Sequence, residues 1–310
     1  KFALTGAFLF ALVPPLITFC GQIYPEVPCA GIIMLHVILL YNEQRSLKPL
    51  IMLAPLFMVI PFLHIKFIVL QILLFMAVIL CFRKRTIFIF QSIIFGISLI
   101  TLISFNRYLY GHWSFTPMYN GMSVLGQGNI IIGIGAYLFD PQYGILFQSP
   151  VYILALAGLF INVRDLLNTK NYFLWPHYII IGYFIFLISS PIFFFGWSTT
   201  SRFLIPIIGL LFPFALWLTS RFMNTPLKVY VCILFILSMY WSYVHVSHFS
   251  ARYDIYEFLA KKFDLSRLFL PRFHYFSNNS APPDRGCIIW FAFWGMALYL
   301  IFILKKPATQ

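Results

Sequence analysis

Ile65-Lys-Phe-Ile-Val-Leu-Gln-Ile-Leu-Leu-Phe-Met-Ala-Val-Ile-Leu-Cys-Phe82 is an almost uninterrupted apolar run, followed at once by the basic run Arg83-Lys-Arg85. Lys66 is its only charged residue. A transmembrane helix needs about 20 mainly apolar residues, and Lys and Arg are enriched at the cytoplasmic ends of such helices. The run therefore predicts a membrane-spanning helix whose last residues lie on the cytoplasmic side.

The same pattern repeats along the chain. Of the 310 residues, 61% are hydrophobic and 9% are charged, whereas a soluble domain has about 25% charged residues. This composition excludes an ordinary soluble enzyme and predicts an all-α polytopic transmembrane helix bundle with about ten spans, forming a single integral membrane domain over residues 1–310. Several of the apolar runs that predict these spans are short or interrupted by proline, as at Pro14-Pro15. The ten runs are residues 2–19, 27–41, 50–63, 65–82, 87–105, 145–161, 173–195, 203–219, 227–244 and 288–304.

The distribution of charge predicts how the bundle is oriented. Lys and Arg number 21 and Asp and Glu 8, so the net charge is +13. With the N-terminal end inside, the inner loops hold twelve of the cations and the outer loops nine, six of which lie in the long loop 245–286. Because cations in short loops set topology, we expect both ends of the chain to be cytoplasmic, in the inner or plasma membrane. The basic excess then reflects topology and indicates no nucleic-acid partner, and the aromatic-rich loop 245–286 is expected to lie at the membrane interface.

Ionisable residues in very short outer loops are the strongest functional candidates. Glu26, His64 with Lys66, and Arg202 each lie in such a loop, where burying a charge costs about 2.5 to 3.5 kcal/mol on insertion scales. All are predicted on the same side and could converge on one cavity, where Lys and Arg would bind a phosphate and Glu would accept a proton or hold a divalent metal ion. Metal use stays open. The alternative for each residue is simple anchoring at the membrane interface, with Lys66 or Arg202 reaching towards the headgroups.

Weaker candidates surround this set. Asp140-Pro-Gln-Tyr-Gly144 is a turn signature, and its Asp140 and Tyr143 are expected at the mouth of the outer cavity. Tyr24 and Arg107 are further cavity candidates on the same predicted side. The apolar, glycine-containing residues 126–139 are too short to span and predict an interfacial or re-entrant segment.

Four motifs occur in order along the chain: Tyr24-Pro-Glu-Val-Pro28, Pro61-Phe-Leu-His-Ile-Lys-Phe67, the stretch from Phe139 to Tyr152, and Phe195-Gly-Trp-Ser followed by Ser201-Arg-Phe-Leu-Ile-Pro206. Together they resemble the GT-C superfamily of polytopic glycosyltransferases, relatives of the protein O-mannosyltransferases and of the aminoarabinose transferases that modify lipid A. The resemblance covers about 70% of the chain, residues 2–220.

The resemblance implies an inverting transfer of a hexose or pentose from a polyprenyl-phosphate carrier to a lipid, glycan or protein acceptor on the periplasmic or extracellular face. It implies that Glu26 assists catalysis, that Lys66 and Arg202 bind the donor phosphate with His64 nearby, and that the isoprenoid lies among the phenylalanine-rich spans. In this superfamily the principal catalytic acid lies in the first outer loop, which would precede Phe2. We therefore expect an N-terminally truncated chain that is inactive by itself. The alternatives are a membrane transporter or lipid flippase and a non-catalytic scaffold.

Overall fold

The computed structural model describes residues 2–19, 24–41, 47–115, 130–139, 144–162, 174–189, 202–222 and 225–247. All regular structure in these ranges is helical, as the composition predicts. Two single-turn 3₁₀ helices, Ile65–Phe67 and Arg202–Leu204, lead directly into the α-helices that begin at Ile68 and Ile205. The α-helices are α1 (Phe2–Ala11), α2 (Leu16–Phe19), α3 (Glu26–Leu40), α4 (Leu47–Leu63), α5 (Ile68–Phe82), α6 (Arg85–Tyr110), α7 (Ile130–Phe139), α8 (Ile145–Gln148), α9 (Tyr152–Asn162), α10 (Leu174–Ser189), α11 (Ile205–Phe222) and α12 (Thr225–Ser247).

Four helical segments are long and apolar enough to cross a membrane: Ile65–Phe82, Arg85–Tyr110, Arg202–Arg221 and Leu227–Val244. Four shorter apolar helices, α3, α4, α9 and α10, lie among them. Most of α6 and α12 stays exposed although both are strongly apolar. Such surfaces are stable in hydrocarbon and costly in water, so the all-helical fold is compatible with a membrane protein.

Helix α11 lies at the centre of the described bundle, packed against α9, α3 and α10. Its closest approach is to α9 at Gly158, where a Cβ atom would overlap the carbonyl oxygen of Phe214 and lie 2.8 Å from its carbonyl carbon. Glycine permits this approach because it has no side chain, which is the usual way that membrane helices pack tightly. The contact fixes where the N-terminal end of α11, and with it Arg202, lies in the bundle.

The carbonyl group left without a helix partner by Pro61 is satisfied by a polar side chain of a neighbouring helix. Pro61 has no N–H to donate to the carbonyl of Phe57 one turn earlier in α4. The amide of Gln71 in α5 donates to that carbonyl at 3.0 Å and to the hydroxyl of Ser98 in α6 at 2.9 Å, and Ser98 donates to the carbonyl of Met58 at 3.0 Å. These bonds join α4, α5 and α6 where lipid offers no hydrogen bonds.

Two of the predicted spans are interrupted. Residues 2–19 separate into α1 and α2 around Pro14-Pro15, which confirms the break expected there. Residues 145–161, expected as one span, separate into α8 and α9 at Ser149-Pro150, so that prediction of a continuous helix was wrong. The two breaks touch, because the hydroxyl of Ser149 donates to the carbonyl of Pro14.

Serine side chains of α12 satisfy further backbone groups at both breaks. The hydroxyl of Ser242 donates to the carbonyl of Leu12 at 2.8 Å, and the N–H of Val151 donates to the hydroxyl of Ser238 at 3.1 Å. Irregular backbone at membrane depth is tolerated only when protein groups satisfy it. Tertiary contacts with α12 therefore permit both breaks.

Candidate functional site

Glu26 is the first residue of α3 and follows Pro25. A carboxylate at this position interacts favourably with the partial positive charge of a helix N-terminus. Its side chain is completely buried, and burying a charged carboxylate is costly unless cations and hydrogen bonds compensate it. The compensating groups come from two segments distant in sequence.

Lys66 supplies the first cation. It lies in the 3₁₀ turn Ile65–Phe67, and its backbone N–H donates to Nδ1 of His64, which caps that turn at 3.3 Å. The Lys66 side chain is fully buried, and its Nζ donates to Oε1 of Glu26 at 2.6 Å. Lys66 therefore points into the protein, and the alternative that it extends to the membrane surface was wrong.

Arg202 supplies the second cation at the start of the 3₁₀ turn that precedes α11. Its Nε donates to the same Oε1 atom of Glu26 at 2.9 Å, and its side chain keeps 17% of its surface exposed. We call Glu26, Lys66 and Arg202 the ion cluster. The structure thus brings together three residues that the sequence placed in separate loops.

The ion cluster has a formal charge of +1, from two cations and one carboxylate. Both cations bind Oε1 of Glu26, whereas Oε2 is buried without a hydrogen-bond partner among the described residues. Within the same residues, the only hydrogen bond of Arg202 is made by its Nε, so the Nη1 and Nη2 groups make none. The cluster therefore has N–H donors left for an anion, and one buried carboxylate oxygen without a partner among the described residues.

His64 contributes no charge at neutral pH. Burial and the nearby Lys66 lower the pKa of His64 to about 4, with Arg202 adding to this effect and Glu26 opposing it. The hydrogen bond agrees, because an Nδ1 that accepts from a backbone N–H carries no proton. His64 therefore shapes the Lys66 turn and does not add a cation to the site.

An apolar groove lined by residues of α5, α6 and α10 passes beside Lys66, and neither Glu26 nor Arg202 is among the described residues that line it. Lys66 forms part of its wall and is the only charged residue among the described ones that line it. Its volume is about 570 Å³, within the range of small-molecule sites. The side chains along the groove include Ile68, Ile72, Phe75, Phe95, Leu99 and Phe115.

These donors do not fit a divalent metal ion. A metal would need several carboxylate, carbonyl or imidazole ligands, and no group of three His, Cys, Asp or Glu occurs in the part of the chain that the structure describes. Glu26 is the only carboxylate of the cluster, and two cations already contact it. We therefore derive no chemical step through a metal.

The other predicted site residues differ in their positions. Tyr24 lies at the cluster, with its ring centroid 4.0 Å from Cζ of Arg202. Arg107 lies at the exposed end of α6, where it donates to the carbonyl of Gly111 and lies 6.0 Å from the ring of Trp113, so none of its described contacts is with the cluster. Asp140 and Tyr143 lie outside the described residues, as does most of the loop 245–286.

Sequence reasoning missed Phe203. Its ring centroid lies 4.0 Å from Nζ of Lys66 and 5.8 Å from Cζ of Arg202, so it contacts both cations. The chain has 37 phenylalanines, and nothing in the residue type separates this one from those facing lipid. Its position directly after Arg202 was the only available signal.

The described residues thus form an all-helical bundle with helices apolar enough to cross a membrane, and with a buried ion cluster whose Lys66 also lines an apolar groove. Comparison of the chain with known protein families, curated proteins and solved structures gave no match.

Proposed function

We propose that the protein is a membrane glycosyltransferase that moves a sugar from a polyprenyl-phosphate carrier to a lipid, glycan or protein acceptor. The observation that carries the proposal is the position of Lys66, whose Nζ binds Glu26 in the ion cluster and whose residue also forms part of the wall of the apolar groove. A polyprenyl-phosphate sugar has two corresponding parts, an anionic phosphodiester and a long apolar chain. The GT-C resemblance of the loops around Glu26, Lys66 and Arg202 supports the same assignment.

The cluster suggests different tasks for its two cations. Lys66 is buried and donates to Glu26, so its role is to hold the carboxylate and add positive potential. Arg202 is partly exposed with both Nη groups available, so it is the residue that contacts the phosphate, and a guanidinium can do so with two parallel hydrogen bonds. Positive charge at the phosphate stabilises the leaving group as its bond to the sugar breaks.

The transfer itself needs a base and a leaving group. The acceptor oxygen forms a bond to the anomeric carbon, and the bond from that carbon to the phosphate oxygen breaks with its electron pair on the phosphate. The acceptor proton passes to a carboxylate. In this proposal Glu26 assists indirectly by holding Lys66 and Arg202 through Oε1, and the carboxylate that accepts the proton is the principal acid that the GT-C resemblance places in the first outer loop.

The proposal extends to a GT-C-like architecture of about ten spans, with both chain ends cytoplasmic in the inner or plasma membrane. The ion cluster then lies on the periplasmic or extracellular side. The four long and four shorter apolar helices support this arrangement, as does the excess of Lys and Arg in the short loops assigned to the inside.

Replacement of Arg202 in the full-length protein tests the function. Arg202→Ala should weaken binding of a polyprenyl phosphate in nanodiscs and lower sugar transfer by about 100-fold, since a charge-assisted hydrogen bond is worth about 1.5–3 kcal/mol. Arg202→Lys should recover only part of the loss, because ammonium cannot bind in the same forked geometry. Arg221→Ala is the matched control, an arginine at the opposite end of α11 beside the ring of Trp217. Unchanged transfer by Arg202→Ala would exclude the proposed role of the cluster.

The broken helices favour one second candidate, a lipid transporter or flippase. Discontinuous helices are typical of secondary transporters, and here the breaks at Pro14 and Ser149 contact each other. Movement of a labelled polyprenyl phosphate across liposomes without sugar transfer would support this candidate. Sugar transfer without net movement of the lipid would exclude it.

A further inference from the structure

The two cations of the ion cluster lie in an alternating series with three aromatic rings. The order is Tyr24, Arg202, Phe203, Lys66 and Phe67. The successive distances from cation to ring centroid are 4.0, 5.8, 4.0 and 5.1 Å. We call this series the cation–aromatic stack. Each cation lies near two rings, and Phe203 lies near both cations.

The stack helps to stabilise two buried positive charges that the single carboxylate of Glu26 compensates only in part. Lys66 is fully buried and Arg202 is mostly buried, yet both share a single carboxylate oxygen. Like charges held close together repel, and the protein interior screens them less than water does. The negative faces of aromatic rings attract cations, most strongly where water is excluded, so rings at these positions replace part of the lost hydration.

The stack also fixes the direction of Arg202. A guanidinium is planar, and its five N–H groups point outwards in that plane. The ring of Tyr24 lies over the guanidinium, while the bond from Nε to Glu26 sets the rotation of the group within the plane. The Nη edge is then held in one orientation before any ligand arrives.

We propose that Phe203 and Tyr24 are positioning residues, which hold Lys66 and Arg202 so that the Nη edge of Arg202 is pre-arranged for the donor phosphate. This inference rests on the proposed function, which supplies the donor phosphate as the ligand. Phe203 then affects phosphate affinity through the two cations and does not itself bind the anion. The role depends on the charge distribution of the ring as well as on its shape.

Fluorinated phenylalanines separate these two properties, because fluorine withdraws negative charge from the ring face with little change in size. We would incorporate mono-, di- and trifluorophenylalanine at Phe203 of the full-length protein in nanodiscs and measure Kd for a polyprenyl phosphate without sugar. Kd should rise stepwise with the number of fluorines, to about 10-fold for the trifluoro ring, because the cation–aromatic attraction is weakened and about 1.4 kcal/mol is a factor of ten. The matched control is Phe214, a buried ring in α11 that packs on His177 at 4.5 Å, where the same series should leave Kd unchanged.

Tyr24 gives an independent test of the same proposal. Tyr24→Phe keeps the ring and should leave Kd within about 2-fold, whereas Tyr24→Leu removes it and should raise Kd by about 10-fold. A role in packing alone predicts no graded response at Phe203, and that result would overturn the proposal. Equal Kd values for Tyr24→Phe and Tyr24→Leu would show that the ring of Tyr24 is not needed and would overturn its part of the proposal.

Arg202→Ala, measured beside these variants, distinguishes this inference from the proposed function. If Arg202→Ala weakens binding and the fluorinated rings do not, the positioning role is wrong and phosphate binding by Arg202 stands. If Arg202→Ala also leaves Kd unchanged, the phosphate site itself is wrong.

Discussion

Replacing Glu26 by glutamine removes the only anion of the ion cluster while leaving both cations in place. With an effective dielectric constant of about 20, unit charges 2.6 and 2.9 Å apart attract each other by about 6 kcal/mol in each pair. The cost of burying the ions offsets much of this attraction, and breaking a buried ion pair by removing one partner costs about 3–5 kcal/mol. We therefore expect Glu26→Gln to lower the free energy of unfolding by about 3–5 kcal/mol.

Lys66→Met should have a smaller effect, because Glu26 keeps its bond to Arg202 and methionine preserves most of the apolar stem. The loss is about 1.5–3 kcal/mol, the value of one charge-assisted hydrogen bond. The double variant Glu26→Gln/Lys66→Met should be more stable than Glu26→Gln alone, because the second substitution removes a buried cation that has lost its partner. If the two sites were independent, the losses in the free energy of unfolding caused by the two substitutions would add.

The buried thiol of Cys29, one helical turn after Glu26, offers an assay for these variants. A thiol-reactive fluorophore reports unfolding of the protein in detergent as Cys29 becomes accessible, with the other four cysteines, Cys20, Cys81, Cys232 and Cys287, replaced by serine so that Cys29 alone reacts. The predicted order, from the most stable to the least stable, is wild type, Lys66→Met, the double variant and Glu26→Gln. A double variant less stable than Glu26→Gln, or a Glu26→Gln variant within about 1 kcal/mol of wild type, would refute the reasoning.

Two further predictions concern packing and pH. Gly158→Ala should lower the free energy of unfolding by about 1–3 kcal/mol, because its Cβ would overlap the backbone of Phe214. The control Gly96→Ala has open space around the new Cβ and should raise stability by up to ~1 kcal/mol, and equal effects on thermal unfolding would contradict the packing argument. The pKa of His64 is about 4 in the folded protein and about 6.5 in the unfolded chain, so folding loses stability as pH falls from about 6.5 to about 4. His64→Asn, which keeps a side-chain acceptor for the turn, should therefore compare more favourably with wild type at pH ~4.5 than at pH ~7.5; an identical difference at both values would show that His64 does not titrate in this way.

Most of the helices could be predicted from the sequence because they depend on local composition. The apolar run 65–82 is observed as a 3₁₀ turn followed by α5, and the run 227–244 lies within α12. The exception is the run 145–161, where a local pattern predicted one helix. The break falls at Pro150, which has no N–H to donate to the helix, and the N–H of Val151 donates to the hydroxyl of Ser238 in α12 at 3.1 Å, a partner that no local pattern contains.

The candidate site was also predicted from the sequence only in part. Glu26, Lys66 and Arg202 stand out in the sequence because charged residues in short membrane loops are rare and costly. The sequence by itself also predicted the all-helical class, and four of the ten apolar runs correspond to described helices that are long and apolar enough to span a membrane. It did not determine that both cations would bind one oxygen of Glu26, across 40 and 176 residues of chain.

Tertiary structure alone decided that arrangement and the part played by Phe203. The close contact of α11 with α9, together with the packing of α3 and α5, sets the ends of three helices side by side. Once water is excluded there, each cation must be stabilised by whichever groups the packing supplies. One carboxylate oxygen and a series of aromatic rings are the groups present, and their roles follow from burial, which exists only in the folded protein.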